Sequence, residues 1–170
     1  FISPQHAWAT IELNGTVRVG LDDLIRKIFE KIDHVELPET GQTIERGETL
    51  FSLKYGDYSL NIPSPLSGKI ASVNSEHAEH PEWLAIKPFE LSWMCGIEPS
   101  DLAGELPGLR IGLDSVDWYQ EEIARYQVLA DKFIENTAQV GSTETEEGEK
   151  LKREEYKNLL MEFSKPFLHS

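Results

Sequence analysis

Gly15, Gly41, Gly47, Gly56 and Gly68 divide residues 10–73 into short runs of alternating apolar and polar residues. This pattern constrains the fold more than any other feature of the chain. Glycine enters positive φ without steric cost, so each corner can fold the chain back on itself. A two-residue period between corners marks half-buried strands, and many short strands with Gly and Pro corners predict a small sandwich or barrel. "TIELNGTVRV" (10–19) predicts a first hairpin, with Asn14-Gly15 supplying a type I′ turn. "SLKYGDYSLNIPSPLSG" (52–68) predicts a second, with Gly56-Asp57 at its tip, Tyr55 and Tyr58 beside it, and a further turn at Pro65 and Gly68.

Helical periods frame this β-rich stretch. Leu21, Leu24, Ile25, Ile28, Phe29 and Ile32 form an i, i+3, i+4 stripe behind Asp22 and Asp23. It predicts a short helix near 22–32 with its acids at the favourable dipole end. Past residue 110, Val116, Tyr119, Ile123, Tyr126 and Phe133 predict a helix over about 115–136. "QVGSTETEEGE" (139–149) has no core residues and reads as an acidic linker. Leu151, Tyr156, Leu159, Leu160 and Phe163 then predict a last amphipathic helix. The expected organisation is a mainly β domain over 1–110 and a helical extension over 111–138, packing on or beside it. The linker and a C-terminal helix over 150–170 follow. That last helix would pack on the domain or in a partner's groove.

Charge and side-chain inventory narrow the function. Sixteen Lys+Arg against 30 Asp+Glu give a net charge of −14, which repels nucleic acid. No apolar run approaches the roughly 18 residues of a membrane span in this segment. The single cysteine, Cys95, excludes an internal disulfide and suits a reducing, cytoplasmic setting. Its neighbours Trp93 and Met94 predict a buried strand position. His77 and His80, interleaved with Glu76 and Glu79, are the candidate metal ligands. A protein metal site wants three or four ligands, and a polar loop ahead of Pro81 is the plainer reading. His6 is expected to be structural. No nucleophile–base pair or phosphate-cradling loop is present, so the chain does not read as an enzyme.

"HAWATIELNGTVRVGLDD" (6–23), "VELPETGQTIERGETLF" (35–51), "IPSPLSGKIASVN" (62–74) and "HPEWLAIKPFELSWMCGIEPSD" (80–101) together resemble the glycine cleavage system H-protein family. Each segment alone is a weak motif, whereas their unbroken order over about 6–101 is specific. The resemblance implies a barrel-sandwich hybrid of the biotinyl/lipoyl-carrier type. In that family a lysine at a hairpin tip carries a lipoyl group that shuttles an aminomethyl group between proteins.

Counted back from Ser64 of Ser-Pro-Leu-Ser-Gly, or forward from Gly47, the family's lysine position falls on Asp57. The acidic residue that usually stands three positions earlier is here Lys54. A carboxylate cannot form the lipoyl amide, because that bond needs a primary amine nucleophile. No cofactor is therefore expected. The expectation is an unlipoylated interaction or scaffold module, with protein partners of an oxidoreductase or one-carbon complex. The alternative is a lipoyl carrier modified on Lys54 or another lysine. Lys54 lies an odd number of residues from the tip, on the opposite strand face.

Overall fold

The computed structural model describes residues 1–86, 91–139 and 146–168. It divides into two compact units, 1–112 and 113–170. In chain order the elements of the first are β1 (Ala7–Ile11), β2 (Val17–Leu21), α1 (Asp23–Ile28), β3 (His34–Glu36), β4 (Thr43–Ile44) and β5 (Thr49–Tyr55). β6 (Tyr58–Pro63), β7 (Gly68–Val73), α2 (Glu76–Glu79), α3 (Trp83–Ile86), β8 (Trp93–Pro99) and α4 (Leu102–Glu105) complete it.

Two antiparallel sheets result. One is five-stranded in the order β1-β2-β8-β7-β4, and the other is three-stranded in the order β3-β5-β6. This sheet-rich unit is the expected barrel-sandwich hybrid. Its core draws on both sheets: Val19, Ile70 and Ile97 from the first, and Leu53, Leu60 and Ile62 from the second, all nearly inaccessible. Each such side chain contributes about 1.5–3 kcal/mol by leaving water. Cys95 sits on β8, flanked by β2 and β7, and is buried as the sequence predicts.

The corners behave as glycine chemistry dictates, with two corrections. Gly15, Gly41, Gly47 and Gly56 all have positive φ. The first turn, however, is not type I′, because Asn14 does not share Gly15's positive φ. The Gly15 amide donates to Glu12 O at 2.9 Å, and the Thr16 amide donates to Asn14 Oδ1 at 3.0 Å. Asn14 thus acts through its side chain, and the glycine alone takes the left-handed position, as in a type I turn closed by a bulge. Gly68 is not a left-handed turn residue either; it is the first residue of β7. A Cβ there would lie 2.2 Å from Glu98 O, so close strand approach demands glycine.

α1 is shorter than its apolar stripe. It ends at Ile28 with Phe29 as its C-cap, although Ile32 continues the period. Asp22 caps its start, accepting from the Ile25 amide at 3.0 Å, and accepts from buried His6 Nδ1 through its other oxygen at 2.6 Å. His6 itself has φ 65°, strained for a non-glycine residue. The expectation of a structural histidine agrees with this buried, capped pairing.

The second unit consists of α5 (Leu113–Gln139) and α6 (Glu146–Ser164), followed by a 3-10 turn over Lys165–Leu168. The two helices pair antiparallel. Tyr126 meets Phe163 edge-on at 6.1 Å, and Phe133 meets Tyr156 at 6.3 Å. Arg125 lies 4.1 Å over the Phe163 ring and donates to Phe163 O at 2.7 Å. α6 begins at Glu146, so the acidic stretch 146–149 is a first helical turn and not linker. Acids there complement the helix dipole. Residues 140–145 of the expected linker lie outside the described residues, as do Lys87, Pro88 and 169–170. Among the described residues, no helix is long and apolar enough to cross a membrane.

Candidate functional site

The hairpin joining β5 to β6 carries the candidate site. Tyr55 pairs with Tyr58, which leaves Gly56 and Asp57 as the two loop residues. Gly56 has φ 57°, whereas Asp57 lies outside the positive region. That is the sign pattern of a type II′ turn, in which glycine takes the first central position and relieves the second of any special requirement. Gly56 and Asp57 are exposed, and the two tyrosines beside them are half-buried. The apex therefore presents a carboxylate to solvent.

Residues without a local sequence signal hold this apex in place. The Asp33 amide donates to Lys54 O at 2.8 Å, and Asp33 Oδ2 accepts from the Gly56 amide at 2.6 Å. The segment entering β3 thus ties both the strand end and the turn. β3 continues the contact, with His34 opposite Lys54 and Glu36 opposite Ser52. Glu36 ion-pairs with the Lys54 ammonium. Both side chains keep considerable exposure, at 36% for Lys54 and 58% for Glu36, so the pair contributes at most about 1 kcal/mol. Lys54 is in the second residue pair below the apex, opposite Ser59.

The other candidates separate. His77 is buried and shares a hydrogen bond with Leu91 O through Nε2 at 3.2 Å. His80 is exposed, stacks on Trp83 at 4.1 Å and approaches Glu82 at 3.3 Å. The two face different surroundings and do not form a shared metal face. Among the described residues, no three His, Cys, Asp or Glu side chains converge as a metal requires. Pro65 lies in the bend that leads β6 into β7. Burial pushes the Cys95 thiol up to about 12, which makes it a poor nucleophile.

Two antiparallel sheets that share a core, with a glycine-turned hairpin exposed at its tip, define the class: a barrel-sandwich carrier-type domain. The chain belongs to the glycine cleavage H-protein family, which its residues 2–113 match. It is 34% identical over 122 residues to the glycine cleavage system H protein of Halalkalibacterium halodurans, covering 72% of this chain and 91% of that one. A probable glycine cleavage system H protein from Pyrococcus furiosus is 33% identical over 109 residues, covering 64% and 81%. A solved glycine cleavage system H protein from Mycobacterium marinum superposes with a TM-score of 0.58 at 21% identity, covering 71% and 93%. At that identity the likeness speaks for the fold. The family match ends where α5 begins.

Proposed function

We propose that this chain is an H-protein-like module that carries no lipoyl group and serves as a protein-interaction or scaffold component of a multi-protein complex. The observation behind this reading is the exposed apex carboxylate of Asp57, at the position where the resemblance puts the family's modified lysine. The residues at the apex do not suit lipoate. A carboxylate repels the nucleophile's role, since the amide forms only when a deprotonated amine attacks an activated acyl group. Lys54 is the nearest lysine along the sequence, but it stands down the strand and pairs with Glu36.

The retained fold supports an interaction role, because the docking surface of a carrier is its barrel and its hairpin. The net charge of −14 favours basic protein surfaces over nucleic acid as partners. Components of an oxidoreductase or one-carbon complex fit the family context. Intact-mass spectrometry of the chain coexpressed with a lipoate ligase tests the reading. The expected result is the unmodified mass. A lipoyl-sized increment overturns it, and mapping that increment to Lys54 would establish a working carrier instead.

A further inference from the structure

The turn between β1 and β2 places an electrophile beside a nucleophile within one dipeptide. Asn14 Oδ1 accepts from the Thr16 amide at 3.0 Å, so the asparagine side chain folds back along the backbone of Gly15. Its Cγ then lies beside the Gly15 nitrogen, and a bond between the two closes a five-membered ring. Gly15 is exposed, and a Cβ built on it would meet nothing within 4 Å. Having no side chain, glycine leaves its own amide nitrogen unshielded.

Little holds this turn closed. The Gly15 amide donates to Glu12 O at 2.9 Å, and the Glu12 amide donates to Thr16 O at 2.8 Å. Leu13 packs on nothing, at 110% exposure, and Asn14 is exposed beside it. The Glu12–Arg18 pair at 3.3 Å is partly in water and adds little. Such a tip opens far more readily than a core strand. The other asparagines lack this combination. Asn61, Asn136 and Asn158 sit in a strand or helices and precede Ile62, Thr137 and Leu159, whose side chains crowd the next amide. Asn74 precedes Ser75, but it is buried and its Nδ2 donates to Trp93 O at 3.0 Å.

We propose that Asn14 is a self-modification site, at which the Gly15 nitrogen converts the asparagine to isoaspartate and aspartate. A solvent base takes the Gly15 amide proton, and the nitrogen attacks Asn14 Cγ. The bond from Cγ to the side-chain nitrogen breaks, and ammonia leaves with a proton. Water then opens the ring at either carbonyl. Attack at Cγ gives aspartate, whereas attack at the main-chain carbonyl gives isoaspartate, with the chain now running through Cβ and Cγ. Nothing is oxidised or reduced. The product adds one negative charge to the −14 of the chain, next to Glu12. The isoaspartate form also lengthens the main chain of the turn by one carbon and turns the acceptor of the Thr16 bond into a backbone carbonyl. This chemistry is independent of lipoate and of the interaction-module reading.

The test incubates the full chain in mildly alkaline and mildly acidic buffer made with heavy-oxygen water, followed by peptide mapping. A synthetic peptide of residues 10–19 serves as the unfolded reference. Asn14 should take up heavy oxygen as aspartate and isoaspartate, faster in the alkaline buffer. Its conversion should outpace that of Asn61, Asn74, Asn136 and Asn158 by at least about tenfold, since loop tips open nearly freely and core positions do not. A carboxyl methyltransferase specific for isoaspartate should label the aged chain. Asn14→Gln, whose longer side chain disfavours the ring, should lose both signals while circular dichroism shows the fold intact. An intact Asn14 in a chain whose reference peptide converts overturns the proposal, because the folded turn then protects the site. Equal conversion at the other asparagines, or methyl labelling that persists in Asn14→Gln, also overturns it.

Discussion

The Gly56 amide donates to Asp33 Oδ2 at 2.6 Å, which fastens the apex of the β5–β6 hairpin to the chain entering β3. The bond is charge-assisted and exposed, so water can replace part of it. Asp33→Ala should cost about 0.5–1.5 kcal/mol in denaturant unfolding. Its specific signature is faster hydrogen exchange at Gly56 with core amides unchanged. Equal exchange at Gly56 in both proteins would show that the tie does not order the apex.

A second prediction concerns His6 and Asp22, joined at 2.6 Å in the interior. Asp22 also caps α1 through its other oxygen. Asp22→Ala removes the cap and takes a carboxylate acceptor away from a buried imidazole, a loss of about 3 kcal/mol by thermal or denaturant unfolding. Asp22→Asn keeps a capping oxygen and should lose clearly less. Similar losses for both variants would mean that the negative charge, and not the cap, holds this corner.

How much of this was legible in the sequence depends on the range of the interaction. The corners at Gly15, Gly41 and Gly47 and the Gly56-Asp57 apex were readable, because positive φ is a property of one residue and its neighbours, whereas Gly68 is glycine for a close strand approach that only the fold reveals. The Asp33 tie was not, since nothing in the sequence indicates that a residue ahead of β3 meets a turn 23 positions on. The α1 boundary was overread because Ile32 keeps the helical period after the backbone has left the helix. The α5 and α6 periods showed that each had an apolar face, but a period does not name the partner. The aromatic pairs Tyr126–Phe163 and Phe133–Tyr156 show that they partner each other. His77 and His80 share a sequence motif and yet occupy opposite environments, because burial is decided by the tertiary packing around them.

Cys95 gives a pH prediction. Its folded thiol is raised from 9.0 to about 12 by burial, so the folded state holds the proton that the unfolded state releases. The contribution is intact below pH 9 and is lost as pH rises from there toward 12, at about 1.4 kcal/mol per pH unit. Cys95→Ala should flatten the decline in unfolding free energy over that range relative to wild type. Native protein should also resist thiol reagents at pH 8 and react once denatured. Identical alkaline slopes would refute the burial account.

Arg125 staples the helical hairpin by lying over Phe163 and donating to its carbonyl at 2.7 Å. Arg125→Ala should destabilise that pairing by about 1–3 kcal/mol. The expected readout is faster amide exchange from Leu160 to Phe167, with the β5–β6 amides unaffected. Unchanged exchange at the end of α6 would assign the pairing to the aromatic contacts alone.

The proposal that Asp57 stands at the carrier position is tested most directly by making wild type and Asp57→Lys side by side in cells that supply lipoate ligase and lipoate, then mapping modified peptides. Asp57 occupies the second central position of its turn without positive φ, so lysine should be accepted there at a cost within about 0.5 kcal/mol. Our account predicts an unmodified wild type and a lipoyl group on the new lysine of the variant. Lipoate on any lysine of the wild-type chain would contradict it.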